Sequence, residues 1–314
     1  MKILILSFFI LLVLSQVKNT FPVNFEMVQR IKNNAKWMPS EVSHNKFKDW
    51  STTRIKSILG LTKNSFRTED YEILKVVESR SNRCPVNASI PDEFDGRISR
   101  PNCTGPVRDQ GYCGSCWAFG ASETLSDLRC IAKNSSYLEL SPQDLVSCDK
   151  LNDGCDGGYL STVFNHLAFI GTVTDTCFPY TSGEEGRVPR CRITCVNRTE
   201  RFIKYKCKLL SVVNLGGNST CMKSWISANG PLEVGFEVYE DFLNYQSGVY
   251  YYTGGELLGG HAVKVIGWGV ESATGFKYWI CQNSWGTSWG MNGYFLIREG
   301  ECFIESEAYS CKPR

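Results

Sequence analysis

Histidine is scarce in this sequence: its 314 residues include only three, His44, His166 and His261. An imidazole that moves protons in catalysis must therefore be one of these three. Runs of basic residues of the kind that bind nucleic acid are also missing, so no nucleic-acid partner is expected. After the first residues no apolar run reaches about 18 residues, so no membrane span is expected either.

The amino-terminal region divides into two segments by composition. Lys2, the apolar run 3–14 and the exit at Ser15 predict a signal peptide over residues 1–16, with an uncleaved signal anchor as the alternative. Residues 17–89 are polar and more basic than acidic, and their scattered apolar residues are too few for a core. We expect this second segment to pack on another surface; a disordered linker is the alternative.

Cysteine, by contrast, is abundant. Fifteen cysteines indicate a protein that folds in an oxidising compartment. Because the number is odd, at least one thiol stays unpaired, as a catalytic cysteine requires. Five Asn-x-Ser/Thr sequons fit the same secretory route. Their asparagines are Asn87, Asn102, Asn134, Asn197 and Asn218.

A candidate nucleophile lies between Gln110 and Phe119, where two cysteines stand three positions apart. Apolar residues recur at helical spacing after Cys116, and Ser115 is placed to cap that helix. Since the first turn of a helix favours an anion, Cys116 is expected to be stabilised as a thiolate. A zinc or redox Cys-x-x-Cys pair is the alternative, but the chain has no second pair to complete a four-cysteine metal site. We therefore interpret Cys113 as a disulfide cysteine and expect no metal.

The expected partner of Cys116 is His261, because His44 lies in the basic segment and His166 falls in a predicted helix, where a structural role is expected. Alternating apolar residues after His261 predict a strand, and a second strand follows it after a turn. An antiparallel hairpin pairs residues symmetrically about its turn, so His261 and Asn283 are expected to lie close together. The amide of Asn283 would then orient the imidazole beside the thiolate.

Two further features fit peptide-bond chemistry. Gln110 and the backbone N–H of Cys116 are the donors expected to stabilise a developing oxyanion. Gly157 and Gly158 have no side chain to block an approaching backbone, which suits pairing with an extended peptide. An ordinary tight turn at the glycines and a structural His–Asn pair are the alternatives, but the four candidate catalytic residue types together favour catalysis.

Several short motifs of the chain resemble those of a known family. The four general motifs are Cys113-Gly-Ser-Cys-Trp117, Cys155-Asp-Gly-Gly158, Gly259-Gly-His-Ala262 and Asn283-Ser-Trp-Gly286. On these residues the sequence resembles the papain family of cysteine peptidases. Three others resemble cathepsin B in particular: Val238-Tyr-Glu-Asp-Phe242, Ser247-Gly-Val-Tyr250 and Ile304-Glu-Ser-Glu307.

The resemblance implies an α+β fold of the papain-like, two-lobed kind, with a helical left lobe, a β-barrel right lobe and the active-site cleft between them. A helix-rich stretch followed by a strand-rich one agrees with this. The resemblance also implies that residues 17–89 are a prosegment lying through the cleft in reverse sense, and that residues 90–314 are the peptidase domain. It implies a cysteine peptidase made as a zymogen, acting as a monomer without a cofactor in a lysosome, in a vacuole or outside the cell. The partners implied are protein or peptide substrates, the chain's own prosegment and cystatin-type inhibitors.

Residue roles carry over from the family only where the motifs match. Substrate contacts are implied for Gly157, Gly158, Ala262 and Trp285. Glu307 resembles the acidic floor of the pocket for the second residue before the cleaved bond, which would accept Arg as well as apolar side chains; a surface glutamate is the alternative. The disulfides implied are Cys103–Cys130, Cys113–Cys155, Cys148–Cys191 and Cys177–Cys195. Pairing stays open for Cys84, Cys207, Cys221, Cys281, Cys302 and Cys311.

One departure from cathepsin B affects the expected activity. Cathepsin B carries an inserted loop with adjacent histidines that bind a substrate's terminal carboxylate. Here the corresponding gap, residues 181–188, is short and contains no histidine. We therefore expect an endopeptidase with weak or absent removal of carboxy-terminal dipeptides. A dipeptidase and a catalytically inactive binding protein on the same scaffold are the alternatives.

Overall fold

The computed structural model describes residues 21–62 and 90–314, and the longest helix in these residues begins at the candidate nucleophile. The α-helices of the described residues are α1 (Phe25–Asn34), α2 (Thr52–Lys56), α3 (Gly96–Ser99), α4 (Cys116–Lys133), α5 (Pro142–Cys148), α6 (Leu160–Phe169), α7 (Ser182–Glu185) and α8 (Ser219–Ala228). Short 3-10 turns cover Val42–His44, Gly154–Asp156, Glu240–Asn244 and Glu301–Phe303.

Helix α4 begins at Cys116, as the sequence predicts, and most of its side chains are buried. Ser115 occupies the N-cap position, but its hydroxyl lies 2.8 Å from the hydroxyl of Tyr180 and makes no capping hydrogen bond. The predicted side-chain cap is therefore wrong. The backbone of Ser115 (φ −105°, ψ 18°) is not extended, so its hydroxyl is not aimed at the N–H groups of the first turn. The helix stops at Asn134, whose left-handed backbone (φ 44°) returns its N–H to Cys130.

Helix α5 forms as its sequence predicts. Ser141 is the N-cap, and its hydroxyl accepts the backbone N–H of Asp144 at 3.0 Å. Pro142 follows in the first turn, where the missing N–H costs no helical hydrogen bond.

Most strands belong to one extended sheet. The strands of the described residues are β1 (Met38–Pro39), β2 (Phe94–Asp95), β3 (Val213–Asn214), β4 (Leu232–Tyr239), β5 (Tyr245–Ser247), β6 (Val249–Tyr250), β7 (Leu257–Val270), β8 (Lys277–Gln282), β9 (Tyr294–Arg298) and β10 (Glu307–Ser310). The sheet order is β3-β10-β4-β7-β8-β9-β6, and β2 also pairs with β7. All pairs are antiparallel except β6 with β9.

Buried apolar side chains form two large clusters, which define two lobes. One fills the sheet and includes Phe236, Trp279 and Phe295. The other belongs to the helices and includes Leu125 on α4 and Phe164 on α6. The helix-rich stretch followed by a strand-rich one is therefore confirmed, and so is the two-lobed α+β fold.

A buried ion pair joins the two lobes. Lys264 on β7 has no exposed surface, and its ammonium group donates to Asp127 on α4 at 2.8 Å. Glu123, one turn earlier on the same helix, lies 3.9 Å from that ammonium. Although burial lowers the pKa of Lys264, the two carboxylates raise it above the usual lysine value. The lysine therefore stays charged and holds helix and sheet together.

Residues 21–62, here called the leading segment, pack on the body of the protein and have no separate core. Strand β1 pairs with β5 of the body. Trp37 is 2% exposed, and its indole N–H donates to the carbonyl of Tyr251 at 2.9 Å. Phe47 is fully buried, with its ring 5.1 Å from that of Trp285. The prediction that this part of the chain packs on another surface is confirmed.

Five disulfides join described residues. Four of them are the pairs that the resemblance implies: Cys103–Cys130, Cys113–Cys155, Cys148–Cys191 and Cys177–Cys195. The fifth, Cys207–Cys311, comes from the cysteines left open by the sequence. Cys221 is also disulfide-bonded. Cys116, Cys281 and Cys302 are the free thiols of the described residues, and all three are buried.

Several predictions fall outside the described residues: the signal peptide over residues 1–16, the sequon at Asn87, Cys84 and the boundary near residue 89. The asparagines of the remaining sequons, Asn102, Asn134, Asn197 and Asn218, are all exposed to solvent. Among the described helices, none is long and apolar enough to cross a membrane.

Candidate active site

Cys116 lies at the first position of α4, in contact with both lobes and with the leading segment. Its side chain is fully buried. Backbone N–H groups of Ala262 on β7, of Gly60 in the leading segment and of Trp117 lie close enough to the sulfur to lower the pKa of the thiol. Since Ala262 directly follows His261, the sulfur is held beside the strand that carries the candidate imidazole.

The hairpin of β7 and β8 brings His261 and Asn283 together. The ring nitrogen Nε2 of His261 lies 2.8 Å from Oδ1 of Asn283. That oxygen also accepts the backbone N–H of Ser284 at 2.8 Å, which fixes the orientation of the amide. Nε2 must therefore carry the hydrogen, and the neutral ring keeps Nδ1 as its acceptor. Nδ1 is buried and has no hydrogen-bond partner among the described residues.

Burial controls the protonation of these two groups in the closed structure. It raises the pKa of the Cys116 thiol to about 12, although three backbone N–H groups lower it. It lowers the pKa of His261 to about 4, although the hydrogen bond to Asn283 raises it. The stabilised thiolate expected from the helix start is therefore not found here, because the leading segment excludes the water that a charged pair needs.

Gln110 is buried, and its side-chain amide is hydrogen-bonded to a carbonyl oxygen of the leading segment. Its amide nitrogen Nε2 donates to the carbonyl oxygens of Ile58 and Cys113, each at 2.8 Å. The hydroxyl of Ser284 donates to its Oε1 at 2.6 Å, which fixes the orientation of this amide as well. A donor aimed at a peptide carbonyl next to Cys116 can also stabilise the oxyanion that forms from such a carbonyl.

The leading segment crosses the cleft at Gly60 and pairs with both lobes. Leu61 donates its N–H to Gly260 at 3.1 Å, and Thr62 donates to the carbonyl of Gly158 at 3.0 Å. Gly158 donates in turn to the carbonyl of Gly60 at 2.9 Å. The pairing with Gly158 is parallel. Gly158 thus pairs with an extended chain, and the binding of substrate by both glycines stays a prediction.

Two glycines are required at this crossing by close backbone approach. A Cβ on Gly60 would lie 1.7 Å from the carbonyl oxygen of Gly114. A Cβ on Gly158 would lie 2.6 Å from the ring of Trp117. Neither position can take a side chain without moving the chain away from the cleft. Gly157, the other glycine of the motif, has a left-handed backbone with φ 125°.

Leu61 lines a cavity of about 310 Å³ beside the crossing. Gly235 on β4 leaves room for it, since a Cβ there would lie 2.4 Å from Cδ2 of the leucine. Glu307 on β10 pairs in register with Gly235 and lines the cavity, as expected for the pocket residue. Phe303 and Ser306 also belong to the lining.

Glu237 lines the same cavity and was missed by the sequence analysis. It lies two positions after Gly235 on the same face of β4, and its Oε2 accepts the hydroxyl hydrogen of Tyr239 at 2.6 Å. The signal that could have found it is the alternation of Glu233, Gly235 and Glu237 opposite the apolar face of that strand. The cavity therefore has two carboxylates in its lining.

The other residues considered from the sequence are Trp285, His166, His44 and the stretch 181–188. Trp285 stacks on His261 with ring centroids 4.6 Å apart. His166 is buried beside Asp149 at 3.5 Å, and His44 is exposed in the leading segment, so neither joins the site. The short stretch 181–188 forms α7, and its Gly183 accepts the N–H of Tyr112 at 2.8 Å.

This arrangement of side chains by itself defines a class of protein. A cysteine at a helix start, a histidine held by an amide and a second amide aimed at a peptide carbonyl are the parts of a thiol-dependent acyl-transfer site. Sequence comparison then gives the family. Residues 90–312 match the profile of the papain family of cysteine proteases, so the chain belongs to that family.

Similar proteins place the chain among the cathepsin B-like enzymes of this family. The chain is 38% identical over 276 residues to "Cathepsin B-like CP3" of Giardia intestinalis, covering 85% of this chain and 91% of that protein. It is 41% identical over 250 residues to the "Gut-specific cysteine proteinase" of Caenorhabditis elegans, covering 73% and 75%. Among solved structures, proCathepsin B S9 from Trypanosoma congolense superposes with a TM-score of 0.81 at 28% identity, covering 94% of this chain and 100% of that one. The chain is therefore a cathepsin B-like cysteine peptidase with the fold of a zymogen.

Proposed function

We propose that the chain is a cysteine endopeptidase in which Cys116, His261, Asn283 and Gln110 carry the chemistry. One observation supports this above the others. The backbone N–H of Ala262, the neighbour of His261, lies close enough to the Cys116 sulfur to lower the pKa of the thiol, and that histidine is held 2.8 Å from Asn283. In this proposal residues 17–89 are the inhibitory prosegment, residues 90–314 are the peptidase domain and residues 1–16 are a signal peptide.

The first half of the reaction acylates the enzyme. Once the leading segment leaves, water enters and the neutral pair can ionise to thiolate and imidazolium. The thiolate attacks the carbonyl carbon of a substrate peptide bond. Gln110 and the backbone N–H of Cys116 donate hydrogen bonds to the developing oxyanion. His261 gives the proton on Nδ1 to the amine as the C–N bond breaks, because Asn283 keeps Nε2 occupied.

The second half hydrolyses the thioester. His261 takes a proton from a water molecule, and the water oxygen adds to the thioester carbon. The C–S bond then breaks, so the carboxylic acid product leaves and the sulfur returns as thiolate. Asn283 holds the ring in one orientation through both halves, and its neutral amide suffices because the thiolate already balances the imidazolium charge.

We further propose that the cavity lined by Leu61 binds the second residue before the cleaved bond and accepts Arg as well as apolar side chains. Leu61 supports the apolar fit, while the carboxylates of Glu307 and Glu237 in the lining support a guanidinium. The test compares Arg- and Phe-containing substrates with Glu307→Ala. If that variant lowers both rates equally, the role of Glu307 is wrong.

Residues 181–188 support internal cleavage over dipeptide release. Helix α7 in this stretch carries no histidine and lies against Gly111, and the cation of the stretch, Arg187, pairs with Glu185 at 3.2 Å. An internal fluorogenic peptide and a peptide with a free carboxyl terminus should be assayed side by side. Strong dipeptide release from the second would refute the endopeptidase assignment.

The compartment follows from the covalent structure. Five disulfides among the described residues indicate the secretory pathway. We propose a lysosome or vacuole, or the extracellular space, as the destination, and glycosylation at the exposed sequon asparagines. Treatment of the secreted protein with an endoglycosidase would shift its mass if the sequons are used.

The decisive experiment is labelling by an epoxide-type inhibitor of cysteine peptidases. After acid activation, we expect one label per chain, located on Cys116 by peptide mass spectrometry. Cys281 and Cys302 serve as internal controls, because both are free thiols and both are buried. His261→Ala should lose labelling and peptide hydrolysis together. If the activated protein binds peptides but is not labelled at Cys116, it is the catalytically inactive binding protein of the alternative hypothesis.

A further inference from the structure

A cation-binding site lies on the side of Cys116 opposite the Leu61 pocket. The ammonium group of Lys46, in the leading segment, lies 2.9 Å from Oδ2 of Asp109 and 2.6 Å from the carbonyl oxygen of Trp285. Both acceptors belong to the body of the protein. Neither takes part in the chemistry proposed above.

The position of this site in the cleft follows from the path of the leading segment. That segment passes Cys116 at Gly60 and then lines the pocket with Leu61. Lys46 instead contacts the carbonyl of Trp285, whose ring lies beside that of His261. Under the proposed function the pocket binds the acyl part of the substrate, so Lys46 occupies the side of the leaving amine.

The site also lies close to the reacting groups. Asp109 directly precedes Gln110, the proposed oxyanion donor. Trp285 stacks on His261 and pairs with Asp109 through a backbone bridge. A side chain one or two residues beyond the cleaved bond can therefore reach the carboxylate.

The carboxylate is held in place by the body alone. Its Oδ1 accepts the backbone N–H of Gly111 at 2.9 Å. Gly286 has a left-handed backbone with φ 74°, and a Cβ there would lie 2.7 Å from Oδ2 of Asp109. The site is thus built from both sides of the cleft and remains when Lys46 has left. About half of the Asp109 side chain surface, 49%, is exposed even with Lys46 bound.

The charge around the site favours a cation over an anion. Glu184 and Glu185 of α7 are exposed, and α7 lies against Gly111. Lys46 is the ion-pair partner of Asp109 in the described part of the chain. When it leaves, a carboxylate and a carbonyl oxygen face the cleft, and both accept hydrogen bonds from an ammonium or guanidinium.

We propose that Asp109 and the Trp285 carbonyl form a subsite for a basic side chain, Lys or Arg, at the first or second residue after the cleaved bond. Lys46 shows the geometry of the bound ammonium. The same subsite repels a free substrate carboxylate, which adds a physical reason for weak dipeptide release. The inference rests on the proposed peptidase function.

The test uses the activated enzyme and internally quenched peptides that differ at one position. Lys, norleucine and Glu are placed in turn at the first and at the second residue after the cleaved bond. We expect kcat/KM at one of these positions to fall in the order Lys, norleucine, Glu, with roughly three- to tenfold between Lys and Glu at low salt, as a partly exposed ion pair allows. Raising the ionic strength should reduce that ratio.

Asp109→Asn separates the subsite from general effects on activity. Asn keeps the oxygen that accepts from Gly111 but removes the charge, so the Lys-to-Glu ratio should fall towards one. Asp92→Asn is the matched control, since Asp92 is exposed on the domain and the same charge is removed. This control should keep the wild-type ratio.

The outcomes distinguish the subsite from the function on which it rests. The subsite is wrong if the enzyme cleaves the peptides with the same kcat/KM for Lys, norleucine and Glu, or if Asp109→Asn keeps the wild-type Lys-to-Glu ratio. The proposed peptidase function is then unaffected. If no peptide is cleaved by an activated, correctly folded enzyme, the proposed function fails and the subsite fails with it.

Discussion

At the scale of single residues, the same two side chains can be inert or reactive depending on the water around them. Cys116 and His261 are both fully buried under Gly60 and its neighbours. Burial keeps the thiol and the imidazole neutral, so the zymogen lacks the nucleophile as well as the free cleft. Removal of the leading segment changes the protonation state without any covalent change to these two side chains.

The first prediction concerns the reactivity of Cys116. At pH 7 a thiol with a pKa of about 12 contains very little thiolate, so iodoacetamide should modify Cys116 at least about 100-fold more slowly in the zymogen than in the activated enzyme. Quantitative peptide mass spectrometry over a time course measures this. In the zymogen the rate should still rise at pH 9, whereas in the activated enzyme it should level off at lower pH. Equal rates in the two forms at pH 7 would contradict the argument.

The second prediction concerns Asn283. Asn283→Ala frees the imidazole to rotate, so kcat should fall roughly 10- to 100-fold with a smaller effect on KM. Asn283→Asp keeps an oxygen that accepts the hydrogen bond from Nε2 of His261. It also adds a negative charge, which stabilises the imidazolium. Its activity should therefore extend to higher pH than that of the wild type. The measurement is the pH profile of kcat/KM for both variants, and an unshifted profile for Asn283→Asp would count against the assigned role.

The pairing of His261 with Asn283 could be predicted from the sequence, although the two are not equally distant from the turn. A bulge accounts for one position of this difference, because the register of β7 with β8 shifts between Val265 and Gly267. Such a shift adds one residue to one strand, and no residue pattern here announces it. The neutral state of the site could not be predicted, because it depends on burial by a segment more than fifty positions away.

At the scale of elements, strand β4 has two buried faces, and only one of them is apolar. Val234, Phe236 and Val238 face the sheet core. On the opposite face Gly235 makes room for Leu61, and the flanking acidic residue Glu237 lines the cavity. The alternation of Val234, Phe236 and Val238 is typical of a strand. The second face could not be interpreted from the sequence. Alternation alone would assign its polar residues to solvent, whereas in the structure another lobe covers them.

The third prediction tests the charge of this cavity through the leading segment itself. Leu61→Glu and Leu61→Lys both remove the apolar fit, but only Glu adds a like charge beside Glu237 and Glu307. At pH 5.5 and low salt, Leu61→Glu should therefore activate several-fold faster than Leu61→Lys. The time course of peptide hydrolysis after transfer to that pH is the measurement.

A substitution at Met38 controls for general loosening of the segment. Met38 is 64% exposed on β1, so Met38→Glu and Met38→Lys should activate at rates close to that of the wild type. If Leu61→Glu and Leu61→Lys are equally fast, the cavity does not distinguish charge, and its proposed acceptance of Arg loses its support.

At the scale of the whole molecule, the lobe interface contains acidic groups that prefer to be protonated. Burial raises the pKa of Glu123 on α4 to about 7. Burial also raises the pKa of Glu233 on β4 well above its usual value, with Glu123 and Glu307 acting in the same direction. A Cβ on Gly120 of α4 would lie 2.4 Å from Oε1 of Glu233, so this carboxyl packs directly against the other lobe.

The fourth prediction is that acid stabilises the two-lobed structure. A carboxyl whose pKa is higher in the folded state than in the unfolded chain binds more protons when folded. Its contribution is complete below about pH 4 and is lost as the pH rises through 7, at a cost of about 3 kcal/mol for Glu123. The midpoint of thermal unfolding of the activated enzyme, protected from self-digestion by a reversible inhibitor, should therefore fall between pH 5 and pH 8.

Glu233→Gln should flatten this dependence, because the amide cannot ionise at the interface. Glu256→Gln, at an exposed position, is the control and should keep the wild-type slope. A pH dependence that is the same in all three proteins would show that the interface carboxyls do not set it.

The lobes and four of the disulfides were expected from the sequence and its resemblance, but the connections between distant parts were not. Cys207–Cys311 closes a separation of 104 residues, and nothing in the spacing of these cysteines indicates that they meet. The same holds for Lys264 and Asp127, which are 137 positions apart. Such contacts depend on how the lobes dock, and docking is decided by surfaces rather than by local patterns.

The covalent continuity of the leading segment with the domain that it covers has a kinetic consequence. While the chain is intact, the blocking strand is present at the high effective concentration of a tethered ligand, and dilution cannot remove it. After the junction is cut, the same strand becomes a separate peptide whose occupancy falls with its concentration. An enzyme packed densely in a vesicle would then stay largely silent after cleavage, and emptying that vesicle into a larger volume would release its activity.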